Sequence, residues 1–167
     1  VSQQDFDASE AVFRAGFAAA METQDMGVIL NFAINESKNP NDPVRRLLGL
    51  FELSRLVTEA KMNEANENPV IACFSRQLLS HPEVMGAIGL RTTDAHPLVR
   101  TNALAIIDEF AELDAQIAFT TGLNYAQSTQ DIQEVIQFLI NESREGDPLR
   151  RRLSLAEIDT LLQNAIA

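Results

Sequence analysis

The chain has 167 residues, nearly half of them apolar, with 13 Lys and Arg against 24 Asp and Glu for a formal charge of −11. That length supports one domain with a real core, and the acidic balance argues against nucleic acid, which needs a basic face to neutralise phosphates. The single cysteine excludes an intrachain disulfide, and no apolar run reaches the roughly 20 residues needed to span a bilayer. Scarce aromatics, absent Trp and abundant Ala and Leu suit small aliphatic contacts between helices. The chain opens with Val1. A removed leader and a trimmed terminus look alike at this level, so the compartment stays open between cytoplasmic and exported, with a soluble chain expected in either case.

In chain order, residues 1–8 are polar and read as frayed. Ser9 or Asp7 is the expected cap of a first helix that carries Val12, Phe13, Phe17, Ala20 and Met21. Asp25 is placed to cap a second helix ending near Ser37, with Val28, Ile29, Phe32 and Ala33 at helical spacing. Asn39-Pro40-Asn41 breaks it. Asp42-Pro43 then reads as N-cap and first-turn proline of a third helix running to about Met62. Residues 61–68 are polar and read as a connector. Pro69 opens another helix to about Ser80, His81-Pro82 separates it from one over 83–91, and Pro97 opens the next. Nothing clearly breaks the chain between Phe110 and Ile117, so one long helix is admissible there. Two further helices follow, one carrying Ile132 to Ile140 and one carrying Leu153 to Leu162. No segment alternates with period two long enough to form a strand. The expected class is all-α.

The last segment echoes the first. Asn35-Glu36-Ser37 through Asp42-Pro43-Val44-Arg45-Arg46 returns as Asn141-Glu142-Ser143 through Asp147-Pro148-Leu149-Arg150-Arg151, with one residue inserted near Asn41. Phe13-x-x-Gly16 returns as Phe119-x-x-Gly122, Thr23-Gln24-Asp25 as Thr129-Gln130-Asp131, and Phe32-x-Ile34 as Phe138-x-Ile140. Identities at nearly constant offset indicate a duplicated unit of three helices. The middle segment, with His96-Pro97-Leu98-Val99-Arg100, reads as a diverged third copy. The expected organisation is a single domain of three units near 9–62, 68–113 and 114–167, since such units bury both faces only by stacking.

At the junctions Asp42-Pro43-Val44-Arg45, His96-Pro97-Leu98-Val99-Arg100 and Asp147-Pro148-Leu149-Arg150, the chain resembles HEAT-like and armadillo-like helical repeats. The resemblance implies a solenoid-like stack, in which an arginine near the helix start pairs with an acid across the junction. That role falls to Arg45 or Arg46, to Arg100, and to Arg150 or Arg151. The unit is longer than most HEAT repeats and the middle copy lacks an Asp before Pro97, so a compact helical bundle with internal symmetry is the alternative fold.

Arg45-Arg46 and Arg150-Arg151-Arg152, with Arg144 nearby, are the basic clusters. Arginines in a first turn oppose the helix dipole, so a compensating acid is expected: Asp42, Asp147, Glu52, Glu157 or one from an adjacent unit. Alternatively these arginines and Arg100 form a binding face for an acidic peptide or an anionic ligand. The two Asn-Glu-Ser triplets match a glycosylation acceptor formally, but their matched positions point to ending the second helix. His81 and His96 each precede a proline and read as caps. Cys73, in Val70-Ile71-Ala72-Cys73-Phe74, reads as a buried thiol. Asp108, Glu109, Glu112 and Asp114 read as a solvated face. No catalytic, metal or phosphate motif stands out, and no cofactor is expected. The leading expectation is a non-enzymatic interaction or scaffold module that binds a protein partner or itself. One alternative is a small-molecule-binding, even enzymatic, helical domain with a pocket lined by Phe13, Phe32, Phe119 and Phe138, suggested by the weakly charged second helices. The other is a structural subunit of a larger assembly.

Overall fold

A computed structural model describes residues 1–167 as eight α-helices with no strand. They are α1 (Gln3–Glu22), α2 (Met26–Ser37), α3 (Pro43–Asn63), α4 (Pro69–Leu79), α5 (Val84–Arg91), α6 (Pro97–Ser128), α7 (Ile132–Ser143) and α8 (Pro148–Ile166). No helix is long and apolar enough to cross a membrane. The stretch between Phe110 and Ile117 is continuous helix, as the absence of any breaker there allows. The chain forms two compact units, Val1–Asp108 and Glu109–Ala167, so the boundary falls inside α6.

Helix ends follow their capping chemistry. Asp25, Asp42, Asn68, Asp131 and Asp147 each accept backbone amides at the start of α2, α3, α4, α7 and α8, and proline occupies the first turn of α3, α4 and α8, where its missing donor costs nothing. The start of α1 differs from the expectation of a frayed terminus capped at Ser9 or Asp7. Ser2 is the cap, with its hydroxyl accepting from the Asp5 amide at 3.1 Å. Ser9 instead donates to Asp42 Oδ2 at 2.7 Å and ties α1 to the start of α3.

In the first unit α3 is the central element, packed against α1, α2, α4 and α5. Its Leu50, Leu53 and Val57 are fully buried. In the second unit α7 packs on α8, and Phe119 of α6 meets Phe138 of α7.

Several local bonds of the first unit recur in the second. In the α1–α2 turn, Thr23 Oγ1 donates to Ala20 O and accepts from the Asp25 amide; Thr129 does the same with Ala126 O and Asp131. Gln24 and Gln130 between them adopt left-handed φ of 53° and 57°, which suits a reversal of one residue. Gly16 and Gly122 sit directly beneath the rings of Phe32 and Phe138, where a Cβ would stand 2.6 and 2.4 Å from ring carbons.

The tightest crossing is at Gly49 of α3, where an added Cβ would lie 2.5 Å from the Ser37 amide nitrogen and 2.9 Å from Ala33 O. Those neighbours are backbone and cannot swing aside. We therefore expect Gly49→Ala to lower stability by about 1–3 kcal/mol. Gly89→Ala in α5, with nothing within 4 Å, should raise it by about 0.4–1 kcal/mol. Thermal and urea unfolding followed by circular dichroism reads both.

Candidate functional site

The two matching junctions, α2–α3 and α7–α8, are each organised by an aspartate and two arginines. Asp42 Oδ1 accepts from the amides of Val44 and Arg45 at 3.0 and 3.1 Å, and Asp147 Oδ1 accepts from those of Leu149 and Arg150 at 2.8 and 3.3 Å. At the middle junction His96 Nδ1 takes the corresponding amide, of Leu98, at 3.3 Å. The other histidine, His81, likewise accepts the amide of Glu83 at 3.2 Å. Both histidines are therefore turn caps.

The first arginine turns back onto the helix it follows. Arg45 Nε and Nη2 donate to Glu36 Oε2 and Oε1 at 2.7 and 2.6 Å. Arg150 repeats this with Glu142 at 2.8 and 2.6 Å. Both glutamates are buried. The hydrogen bond from Arg45 to Glu36 outweighs burial and raises the Arg45 pKa; Glu142 does the same for Arg150. Two parallel N–H···O bonds fix the pair in one plane. The compensating acids are thus the glutamates of the Asn-Glu-Ser triplets, and not Asp42, Asp147, Glu52 or Glu157 as primary partners. The serines of those triplets close the second helices, Ser37 onto Ile34 O and Ser143 onto Ile140 O, each at 2.7 Å.

The second arginine holds the loop. Arg46, Arg100 and Arg151 each donate from Nη1 to a loop carbonyl six or seven residues back, those of Asn39, Asp94 and Glu145, at 3.0, 2.6 and 2.8 Å. Arg46 does more. Its Nε and Nη2 grip Asp94 Oδ2 and Oδ1, both at 2.9 Å, bridging 48 positions of sequence. Arg91 Nη1 adds a bond to Asp94 Oδ2 at 2.8 Å, and the His96 amide one to Oδ1 at 2.9 Å. Burial pushes the Asp94 carboxyl up, but the bonds from Arg46 and His96 and the charges of Arg46 and Arg91 outweigh it, leaving its pKa below the ordinary value. Alongside, Lys38 Nζ reaches Glu83 Oε2 at 3.3 Å. Arg152 is exposed on α8, at the position where α3 carries the buried Leu47.

The phenylalanines pack ring against ring. Phe13 and Phe32 stand 5.4 Å apart between centroids, Phe17 joins both, and Phe119 and Phe138 stand 5.7 Å apart. Asp108, Glu109, Glu112 and Asp114 are exposed, and no group of three or more His, Cys, Asp or Glu is placed to hold a metal.

One feature lies where the sequence pointed inward. Cys73, within Val70-Ile71-Ala72-Cys73-Phe74, reads as a buried thiol, yet it is exposed, as are Val70, Ile71 and Phe74 at 74%, 42% and 44%. The reason is that α4 turns Ala72, Ser75 and Leu78, spaced every three residues, against its neighbours. Small side chains at two of these positions bring the helix in close and leave the bulkier ones outside. The result is an apolar groove between α3 and α4 of about 290 Å³, lined by Met26, Leu56, Ala60, Val70, Ile71 and Phe74 among others. The Ala-x-x-Ser-x-x-Leu spacing was the available signal.

The depressed Asp94 pKa fixes the sign of a pH effect. Stability from this carboxylate is fully present above the ordinary aspartate pKa of about 3.9 and lost as pH falls through its lower folded value. We expect Asp94→Asn to destabilise the chain by about 1–3 kcal/mol near neutrality and to flatten this acid-side loss, which urea titrations over a pH series measure. Compared with protein-family models, with curated proteins and with solved structures, the chain has no match.

Proposed function

We propose that this chain is a non-enzymatic protein-interaction module built from stacked helical units. The observation that carries the reading is the α3–α4 groove, which exposes Val70, Ile71 and Phe74 to solvent on a helix whose other side is packed. Leaving large apolar side chains in water forgoes roughly 1.5–3 kcal/mol for each one that a partner would bury. Clustered apolar side chains of this kind mark interaction sites more often than scattered ones do.

The stacking part of the proposal draws on the junctions. Lys38 and Arg46 tie the first α2–α3 pair to Glu83 and Asp94 on either side of α5, which is how a helical array couples one unit to the next. Arg45, Arg46 and Arg150 then act as struts between helices, and the groove between α3 and α4 is an apolar surface. A small ligand in the same groove is the competing occupant, since about 290 Å³ approaches the lower end of ligand-pocket volumes, roughly 300 Å³.

Ile71→Asp/Phe74→Asp, at exposed positions, is expected to keep the wild-type circular dichroism and melting temperature while losing the proteins retained by immobilised wild type, as read by quantitative affinity capture. Recovery of the same proteins by the folded variant would overturn the assignment of the groove. A turnover activity lost on a point substitution would overturn the non-enzymatic reading.

A further inference from the structure

The two units differ in what covers the same surface. In the first, Leu30 of α2 and Leu50 and Val57 of α3 are 6%, 0% and 0% exposed. Their counterparts in the second, Ile136 of α7 and Leu155 and Leu162 of α8, are 39%, 57% and 58% exposed. The first unit continues into α4 and α5, which pack on α3, and α5 also packs on α2. Within residues 1–167, no helix packs on α7 and α8 as α4 and α5 pack on α3, and Ile136, Leu155 and Leu162 stand exposed.

The cations follow the same division. Lys38 and Arg46 of the first unit hold Glu83 and Asp94, the acids that flank α5. Glu83 is the N-cap of α5, and Asp94 lies just past its last residue, Arg91. At the counterpart positions, Arg144 is exposed, and Arg151 binds only the loop carbonyls of Glu145 and Gly146 through Nη1. The second unit thus presents an apolar stripe beside two arginines, in the register that the first unit uses to hold α5.

We propose that the α7–α8 face docks a short apolar helix of a partner protein, about two turns long, with an acid at its N-cap and a second acid eleven residues on. The N-terminal acid pairs with Arg144 and the C-terminal one with Arg151, as Glu83 and Asp94 pair with Lys38 and Arg46. The apolar face of the helix covers Ile136 and Leu155. Charge complementarity favours such an acid-flanked helix over a basic one. A second copy of this chain is disfavoured as occupant, because its own α5 is already packed against α2 and α3. The proposal rests on the reading of the chain as an interaction module but uses a different surface from the α3–α4 groove.

The test uses a synthetic peptide with the sequence of residues 80–96 of this chain and the full-length protein. Binding is followed by fluorescence anisotropy, and amide chemical shifts locate the site. Saturable binding with shifts on α7 and α8 is expected. Arg144→Glu/Arg151→Glu should weaken it at least tenfold, as should Leu155→Asp. A peptide carrying Glu83→Lys and Asp94→Lys should fail on the wild type and regain binding on Arg144→Glu/Arg151→Glu, which a misfolded variant would not allow. No binding, binding indifferent to these charges, or shifts confined to α2 and α3 from exchange with α5, would each overturn the proposal. Because Ile71 and Phe74 are untouched in every arm, failure here leaves the groove assignment to stand or fall on its own capture experiment.

Discussion

The paired bonds between Glu36 and Arg45, and between Glu142 and Arg150, are the constraint on which the helix junctions depend. An arginine in the first turn of a helix faces an unfavourable dipole, and a buried glutamate at the end of a helix faces the same problem in the opposite sense. Joining them offsets both and ties the end of the second helix to the start of the third. Asp42 and Asp147 contribute by satisfying the first amides of the third helix, so that its opening turn is held from both sides. A guanidinium suits this position because its planar fork reaches both carboxylate oxygens at once, which a lysine ammonium does not.

On that shared frame the two units diverge by a few side chains. Gly49 lets α3 approach α2 at Ala33, whereas its counterpart Ser154 fills the gap and donates its hydroxyl to Leu139 O, Leu139 being the counterpart of Ala33. A glycine–alanine crossing and a serine–leucine crossing are two ways of packing the same helix pair. Leu47 is buried in the first unit where Arg152 is exposed in the second. The first unit spends its face on α4 and α5. The second leaves the equivalent face in solvent with its arginines beside it.

The all-helical class and the helix starts were legible because their signals are local. Asp-Pro at a helix start and Thr-Gln-Asp at a turn carry their chemistry within three residues, and the helices begin where those motifs place them. The ion pairs were less legible. Glu36 lies outside the first turn that it neutralises, and Asp94 lies 48 positions from Arg46, so nearer acids such as Asp42 and Glu52 looked equally suitable. The exposure of Cys73 was hidden for a related reason: the run from Val70 to Phe74 is apolar all round, and only packing decides which side is covered. Small Ala72 and Ser75 win the interior over larger Val70 and Phe74, and Cys73 goes outside with them. At the N-terminus, Ser2 extends α1 over polar residues that lack an apolar stripe, because a good cap and an i, i+4 bond from Gln3 to Asp7 are enough.

The most direct measurement is the proton exchange of arginine Nε–H groups near neutral pH, observed by nitrogen-15 NMR with assignments from single Arg→Lys variants. The account predicts slowly exchanging signals for Arg45, Arg46 and Arg150, whose Nε is bonded to a carboxylate, and fast exchange for Arg144, Arg151 and Arg152. Fast exchange at Arg45 and Arg150 would contradict the claim that these pairs set the junctions. Protection at Arg151 in the free protein would contradict the claim that its counterpart site stands open.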